Sequence, residues 1–233
     1  MKFDFSTFDF GSVDWSPLLI SCKTASLSTL ITFLLGVWAA WWLCGASKRV
    51  NGIMDSVFTL PMVLPPTVVG LVLLLLFGKN SAFGRFLSAI GTQVVFSWSA
   101  TVIAAVVVTF PLMYRTARGA FEQVDPDVVN AARTLGMPEA KVFWRVAMPQ
   151  AWPGVAAGAV LSFARALGEF GATLMLAGNI AGRTQTIPIA IYFAVQGGKN
   201  ELALLWMGVI MALSFAVIMV MNALTGGKGG GRA

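Results

Sequence analysis

The segment that decides the architecture is Asp125-Pro126-Asp127-Val128-Val129-Asn130-Ala131-Ala132-Arg133-Thr134-Leu135-Gly136-Met137-Pro138, which leads through Lys141, Phe143, Trp144 and Arg145 to Val146-Ala147-Met148-Pro149. It is too charged to cross a bilayer and too apolar for a simple solvated tail. Asp125 is placed to cap a helix, Pro126 to occupy its first turn, and Asp127 to complement its dipole. A short helix over Val128 to Leu135 should end at Gly136, and Pro138 should open a second one. Pro149 and Pro153 are expected to mark the return of the chain to the membrane.

The rest of the sequence supplies that membrane. Of 233 residues 57% are hydrophobic and only 11% charged, against about 25% charged in soluble domains, and the mean hydropathy is +0.79. Such a composition excludes disorder. The absence of histidine removes histidine triads and histidine-ligated metal sites. A net charge of +6 is read as basic loop residues beside a bilayer and not as a nucleic-acid surface. Cys22 and Cys44, at opposite ends of one apolar run, are about 33 Å apart if that run is helical and cannot pair.

A bilayer core needs about 20 apolar residues per helix. Uncharged runs at Thr24–Cys44, Val57–Gly78, Val94–Tyr114 and Leu202–Gly227 satisfy this, and Val146–Asn179 does so with Arg165 and Glu169 inside it. Five spans, at about 17–44, 57–78, 94–117, 150–177 and 202–225, make one all-α domain over 1–233, with 126–149 as an inner loop. Ile187–Val195 is too short to span and reads as an interfacial or re-entrant helix. With the amino terminus outside, Lys48, Arg49, Arg115, Arg118, Arg133, Lys141, Arg145, Lys228 and Arg232 lie inside. Only Lys2, Lys79, Arg85, Arg183 and Lys199 lie outside. The positive-inside rule thus favours an outer amino terminus and an inner carboxyl terminus. The Asp4, Asp9 and Asp14 start argues against a cleavable signal, and the Gly-rich tail from Gly226 lacks the pattern of a phosphate-binding loop.

Two features inside the spans carry possible function. Pro61, Pro65 and Pro66 should interrupt the helix of the second run. Broken backbone at membrane depth faces protein or water, so this segment lies toward a path or a subunit interface, or else is a kinked packing helix. Arg165 and Glu169 are ionisable residues deep in a span, spaced i,i+4 on one helix face. They form either a structural ion pair or part of a path or gate.

The inner loop resembles the motif E-A-A-x3-G-x9-I-x-L-P of permease subunits of binding-protein-dependent ABC importers. Here Asn130-Ala131-Ala132, Gly136 and Val146-Ala147-Met148-Pro149 keep the spacing, with Asn130 in place of the glutamate. Further stretches resemble the molybdate branch of that superfamily: Leu60-Pro61-Met62-Val63-Leu64-Pro65-Pro66, Phe96-Ser97-Trp98, and Phe163-Ala164-Arg165-Ala166-Leu167-Gly168-Glu169-Phe170-Gly171-Ala172-Thr173. Sulfate permeases share the Gly-Glu-Phe-Gly-Ala element.

The resemblance implies a type I ABC importer permease for molybdate or tungstate, with sulfate or another oxyanion as the alternative and an ion-coupled carrier further off. It implies no cofactor on this chain, with ATP and Mg held by a separate ATPase dimer. It further implies an external oxyanion-binding protein, a second copy of the chain, and the cytoplasmic membrane of a bacterium. Asn130, Ala131, Ala132, Gly136 and Pro149 would couple to the ATPase. In such a homodimer the first span would be an extra helix packed outside the core.

Overall fold

A computed structural model describes Gly11 and residues 13–225; the acidic start with Lys2, Asp4 and Asp9, and the tail with Lys228 and Arg232, lie outside the described residues. Eleven α-helices follow in order among the described residues: α1 Ser16–Cys44, α2 Lys48–Val63, α3 Pro66–Phe77, α4 Ala82–Ala89, α5 Trp98–Glu122, α6 Pro126–Thr134, α7 Glu139–Val142, α8 Met148–Leu167, α9 Gly171–Ala177, α10 Ile187–Gln196 and α11 Asn200–Thr225. Helices α1, α5 and α11 are long and apolar enough to cross a membrane, and the bent pairs α2–α3 and α8–α9 bring the number of spans to as many as five.

The centre is the pair α1 and α5. Along α1 the buried positions Ser21, Thr24, Ala25, Ser28, Thr32, Gly36 and Ala40 recur every three or four residues, a small-residue stripe that lets helix backbones approach closely in lipid. At Gly36 a Cβ would sit 2.9 Å from the Met113 side chain and 3.2 Å from the Tyr114 nitrogen. Hydroxyl groups stitch the outer half: Thr24 and Thr101 share a 2.9 Å hydrogen bond, and the Trp98 indole donates to Thr24 at 3.1 Å. Within this chain the first span thus packs centrally, against α5 and α8. The peripheral helix is α11, in whose most apolar window only 6% is buried.

The second run does not cross as one straight helix over 57–78. It starts at Lys48, and α2 meets α3 at 109°. Leu64 and Pro65 are extended, with ψ of 143° and 137°, because the residue before a proline is pushed out of the helical region and here two prolines follow in succession. Pro61 stays inside α2. The fifth run also bends, by 58° between α8 and α9, at Gly168-Glu169-Phe170.

Pro149 and Pro153, expected where the chain returns to the membrane, both lie within a continuous helix. From Glu139 to Leu167 the chain is continuously helical through a π-helical turn at Phe143–Ala147. There the Met148 N–H donates to the Phe143 carbonyl, five residues back. Pro149 has no N–H to offer the preceding turn, and the wider π turn absorbs that loss without interrupting the helix.

Candidate functional site

The inner loop is built as a helix–turn–helix clasp. Asp125 caps α6, its carboxylate accepting from the Asp127 N–H at 2.9 Å, and Pro126 fills the first turn. At the other end the Met137 N–H reaches the Ala132 carbonyl (3.2 Å) and the Gly136 N–H the Arg133 carbonyl (2.9 Å). This is the paired hydrogen bonding of a Schellman turn, which needs a left-handed residue at Gly136; its φ is +76°.

Across that turn Arg133 grips Glu139 with two hydrogen bonds, Nε to Oε1 at 2.7 Å and Nη2 to Oε2 at 3.2 Å. The Arg133 hydrogen bond holds the Glu139 carboxyl below its usual range and raises the guanidinium in return. Both side chains are well exposed, so the pair contributes about 0.2–1 kcal/mol and serves mainly to fix the angle between α6 and α7. Asn130, Ala131 and Gly136 are exposed and Leu135 projects at 81% exposure. Ala132 is buried within the chain; it packs the clasp from inside, and only Ala131 of the two alanines can lie against a partner.

A second site forms where the two broken spans meet. Gly171 opens α9, and a Cβ there would lie 3.1 Å from Pro66 and 3.2 Å from the Thr67 nitrogen. One turn along, Gly70 of α3 approaches Ala172 Cα and Met175 Cβ to 2.8 and 2.7 Å from its own Cβ position. The break after Pro65 thus rests on the break before α9. Glu169 sits at this junction, its residue only 2% exposed. Oε1 accepts the Ala172 N–H at 3.0 Å, and Oε2 makes a 2.7 Å ion pair with Arg165 Nη1. That second contact is a charge contact without the alignment of a hydrogen bond, since Oε2 otherwise has no partner. The Arg165 side chain remains 37% exposed. Phe170 leans on Tyr192 of α10, ring centres 5.1 Å apart, and the Ile187 N–H at the start of α10 donates to Ser21 of α1 at 2.8 Å.

The structure therefore gathers Pro66, Arg165 and Glu169 into one neighbourhood, and Pro65 and Pro66 are exposed beside it. Pro61 lies a turn back in α2. Pro149 lies at the start of α8, away from the turn at Gly136 and at the foot of the helix that carries Arg165.

Sequence reasoning missed one polar network. Tyr114 donates to Asp55 at 3.0 Å, Arg118 Nη1 reaches Asp55 at 3.0 Å and the Tyr114 hydroxyl at 2.9 Å, and Arg118 Nε bonds Glu122 at 2.7 Å. With Phe58 against Phe110 and Tyr114, at 5.3 Å each, it fastens α2 to α5. The spacing of Tyr114, Arg118 and Glu122 at i, i+4 and i+8 was the available signal. Among the described residues no group of three or more Cys, Asp or Glu is placed to hold a metal ion.

Residues 32–225 match the family described as the binding-protein-dependent transport system inner membrane component. The chain is 41% identical over 211 residues, 89% of its length and 91% of the relative's, to the molybdenum transport system permease protein ModB of Escherichia coli strain K12. It is 34% identical over 207 residues, 89% of its length and 75% of the relative's, to the sulfate transport system permease protein CysW of Synechocystis. Among solved structures, an amino acid ABC transporter crystallised with histidines is similar in fold, with a TM-score of 0.68 at 20% identity, covering 97% of this chain and 99% of the other.

Proposed function

The chain belongs to the family of binding-protein-dependent transport system inner membrane components, and we propose that it is the membrane subunit of an ATP-driven importer for molybdate or tungstate. The clasp around Gly136 carries this reading. A chain that moves cargo without a nucleotide site must receive work through a rigid element, and α6 with α7 is such an element, held by a Schellman turn and a two-point ion pair. Asn130, Ala131 and Gly136 form the face that seats in the ATPase, Ala132 supports it from within, and Pro149 lies where the motion enters α8. The higher identity to a molybdenum permease than to a sulfate one supports the choice of anion.

In this reading the whole chain is one permease domain and two copies enclose the path in the cytoplasmic membrane of a bacterium. A cytoplasmic ATPase dimer holding ATP and Mg drives them, and an external binding protein delivers the anion. The exposed α2–α3 break at Pro65 and Pro66, with Pro61 a turn back in α2, faces the path. The free side of Arg165 offers guanidinium donors to a passing tetrahedral oxyanion, while Glu169 keeps that arginine in place.

The test is reconstitution of the chain with its ATPase and binding protein in liposomes, followed by titration of molybdate, tungstate and sulfate against uptake and ATP hydrolysis. Molybdate and tungstate should stimulate both, and sulfate neither. Equal stimulation by sulfate would favour the second reading, a sulfate-type permease, to which the 34% relative points.

A further inference from the structure

Between the inner end of α1 and the coupling clasp lies a cavity of about 600 Å³ whose lining includes Trp41, Trp42, Asn51, Glu122, Arg133 and Glu139. On the other side of Trp38 and Trp41 runs an apolar trough of about 370 Å³, lined by Phe33, Leu34, Val37, Phe143, Trp144 and Met148, with Glu139 at its rim. The two spaces share Trp38, Trp41 and Glu139. Along α1, Phe33 lies about 12 Å deeper in the bilayer than Trp41, at 1.5 Å per residue. The first space mixes aromatic and charged walls and lies at the loop end of α1; the second is almost wholly apolar and follows α1 toward its middle.

We propose that together they form a site for an inner-leaflet phospholipid with a zwitterionic, primary-ammonium headgroup. The headgroup occupies the cavity and an acyl chain the trough. Tryptophan faces attract ammonium groups through their quadrupole, and three tryptophans line the cavity. Glu122 and Glu139 are each held by an arginine, at 2.7 Å in both cases, yet an ionised carboxylate keeps further lone pairs for an N–H donor. Asn51 of α2 lines the same cavity and adds a polar amide to the wall beside the carboxylates. Arg133 supplies the one guanidinium of the lining for the phosphate.

A cavity with both signs of charge suits a zwitterion better than an anionic headgroup. Lys48, Arg49, Lys141 and Arg145, which would draw an anionic lipid, do not line it. The exposed Trp38 and Trp42, stacked with ring centres 6.1 Å apart, form the rim expected of an aromatic belt. A lipid seated here bridges α1 to the clasp, so the bilayer steadies the element that takes the force. This inference uses the orientation of the chain and not the identity of its cargo.

The test places the complete permease–ATPase complex in nanodiscs of equal phosphatidylethanolamine, phosphatidylcholine and phosphatidylglycerol, then counts lipids retained on gentle release by native mass spectrometry. Phosphatidylethanolamine should be retained about fivefold over phosphatidylglycerol, the ratio that one cation–π contact at an exposed site supplies. Asn51→Leu and Trp42→Leu, on different helices, should each remove that preference while the complex stays assembled. Equal or greater retention of phosphatidylglycerol overturns the proposal, as does an unchanged preference in both variants. Displacement of the lipid by chain-free glycerophosphoethanolamine at matching concentration also overturns it, because the occupant would then be a soluble amine.

Discussion

Replacing Gly136 by alanine isolates the coupling turn from everything else in the molecule. The backbone there has φ +76°, and a Cβ would meet nothing within 4 Å. Steric clash therefore contributes nothing, and the whole cost is that of an L-residue held left-handed, about 1–2 kcal/mol. That shifts the population of the native turn about 5- to 30-fold. If the turn relaxes, the hydrogen bonds from Gly136 and Met137 to Arg133 and Ala132 are lost together, and the Arg133–Glu139 clasp loses its alignment. Asparagine tolerates the left-handed region better than alanine, so Gly136→Asn should fall between the two. Gly136→Leu carries the alanine cost and also adds bulk beside Leu135 on the exposed face. The assay is uptake per ATP hydrolysed in the reconstituted complex, read beside the thermal midpoint of the permease alone. Coupling should decline in the order Gly, Asn, Ala, Leu while the midpoint stays put, because the turn touches no part of the membrane core. Alanine equal to glycine in coupling, or asparagine worse than alanine, would refute the reasoning.

Gly70→Val should lower the thermal midpoint by the equivalent of about 1–3 kcal/mol of overpacking, since α3 and α9 have no room to part at Ala172 and Met175; an unchanged melting curve would show that they can. At the buried pair the two single variants should differ. Arg165→Met strands the 2%-exposed Glu169 carboxylate and should cost about 3–5 kcal/mol. Glu169→Gln costs less, because a glutamine oxygen can still accept from Ala172 and the part-exposed arginine can reach water; membrane yields in the opposite order would contradict this. For the clasp, Glu139 is held below the usual carboxyl value of about 4.3, so its contribution is complete above that value and disappears as pH falls through the depressed one. Amide exchange at 133–139 should therefore be insensitive to ionisation between about pH 5 and 7, and opening in that interval would count against the pairing. Asp55→Ala should loosen α2 alone, seen as faster exchange over 48–63 with α1 and α5 unaffected.

The helix–turn–helix of the inner loop was legible because its signals are local: a capping aspartate, a proline in the first turn, a glycine where the helix stops. The break at Pro65-Pro66 was legible for the same reason, as backbone chemistry acts between neighbours. Its size was not, because a 109° bend is set by α9 lying against Pro66 and Thr67, more than a hundred residues away. Arg165 and Glu169 were seen as a helical pair, but the role of Glu169 in holding the Ala172 N–H depends on a helix break after Gly168 that no proline announces. The central place of α1 within the chain is written in its small-residue stripe from Ser21 to Ala40, a signal that the larger exposed Leu and Trp residues on its other faces outweigh in hydropathy. Pro149 marks the return to the membrane as its position suggests, but the π turn that carries the helix through it has no local signal in the sequence.

That continuity has a mechanical consequence. From Glu139 to Leu167 the chain is one helix of 29 residues, about 43 Å long at 1.5 Å per residue, with the clasp at its foot and Arg165 near its head. A tilt of only about 5° about the foot would carry the head sideways by about 4 Å on that length, more than the width of a water molecule. The π turn sits just above the foot, where the looser hydrogen bonding lets a helix adjust by a residue without coming apart. If the clasp receives a push as proposed, the continuous helix offers it a route to Arg165 by tilting as one body, with the π turn and Pro153 as its points of give.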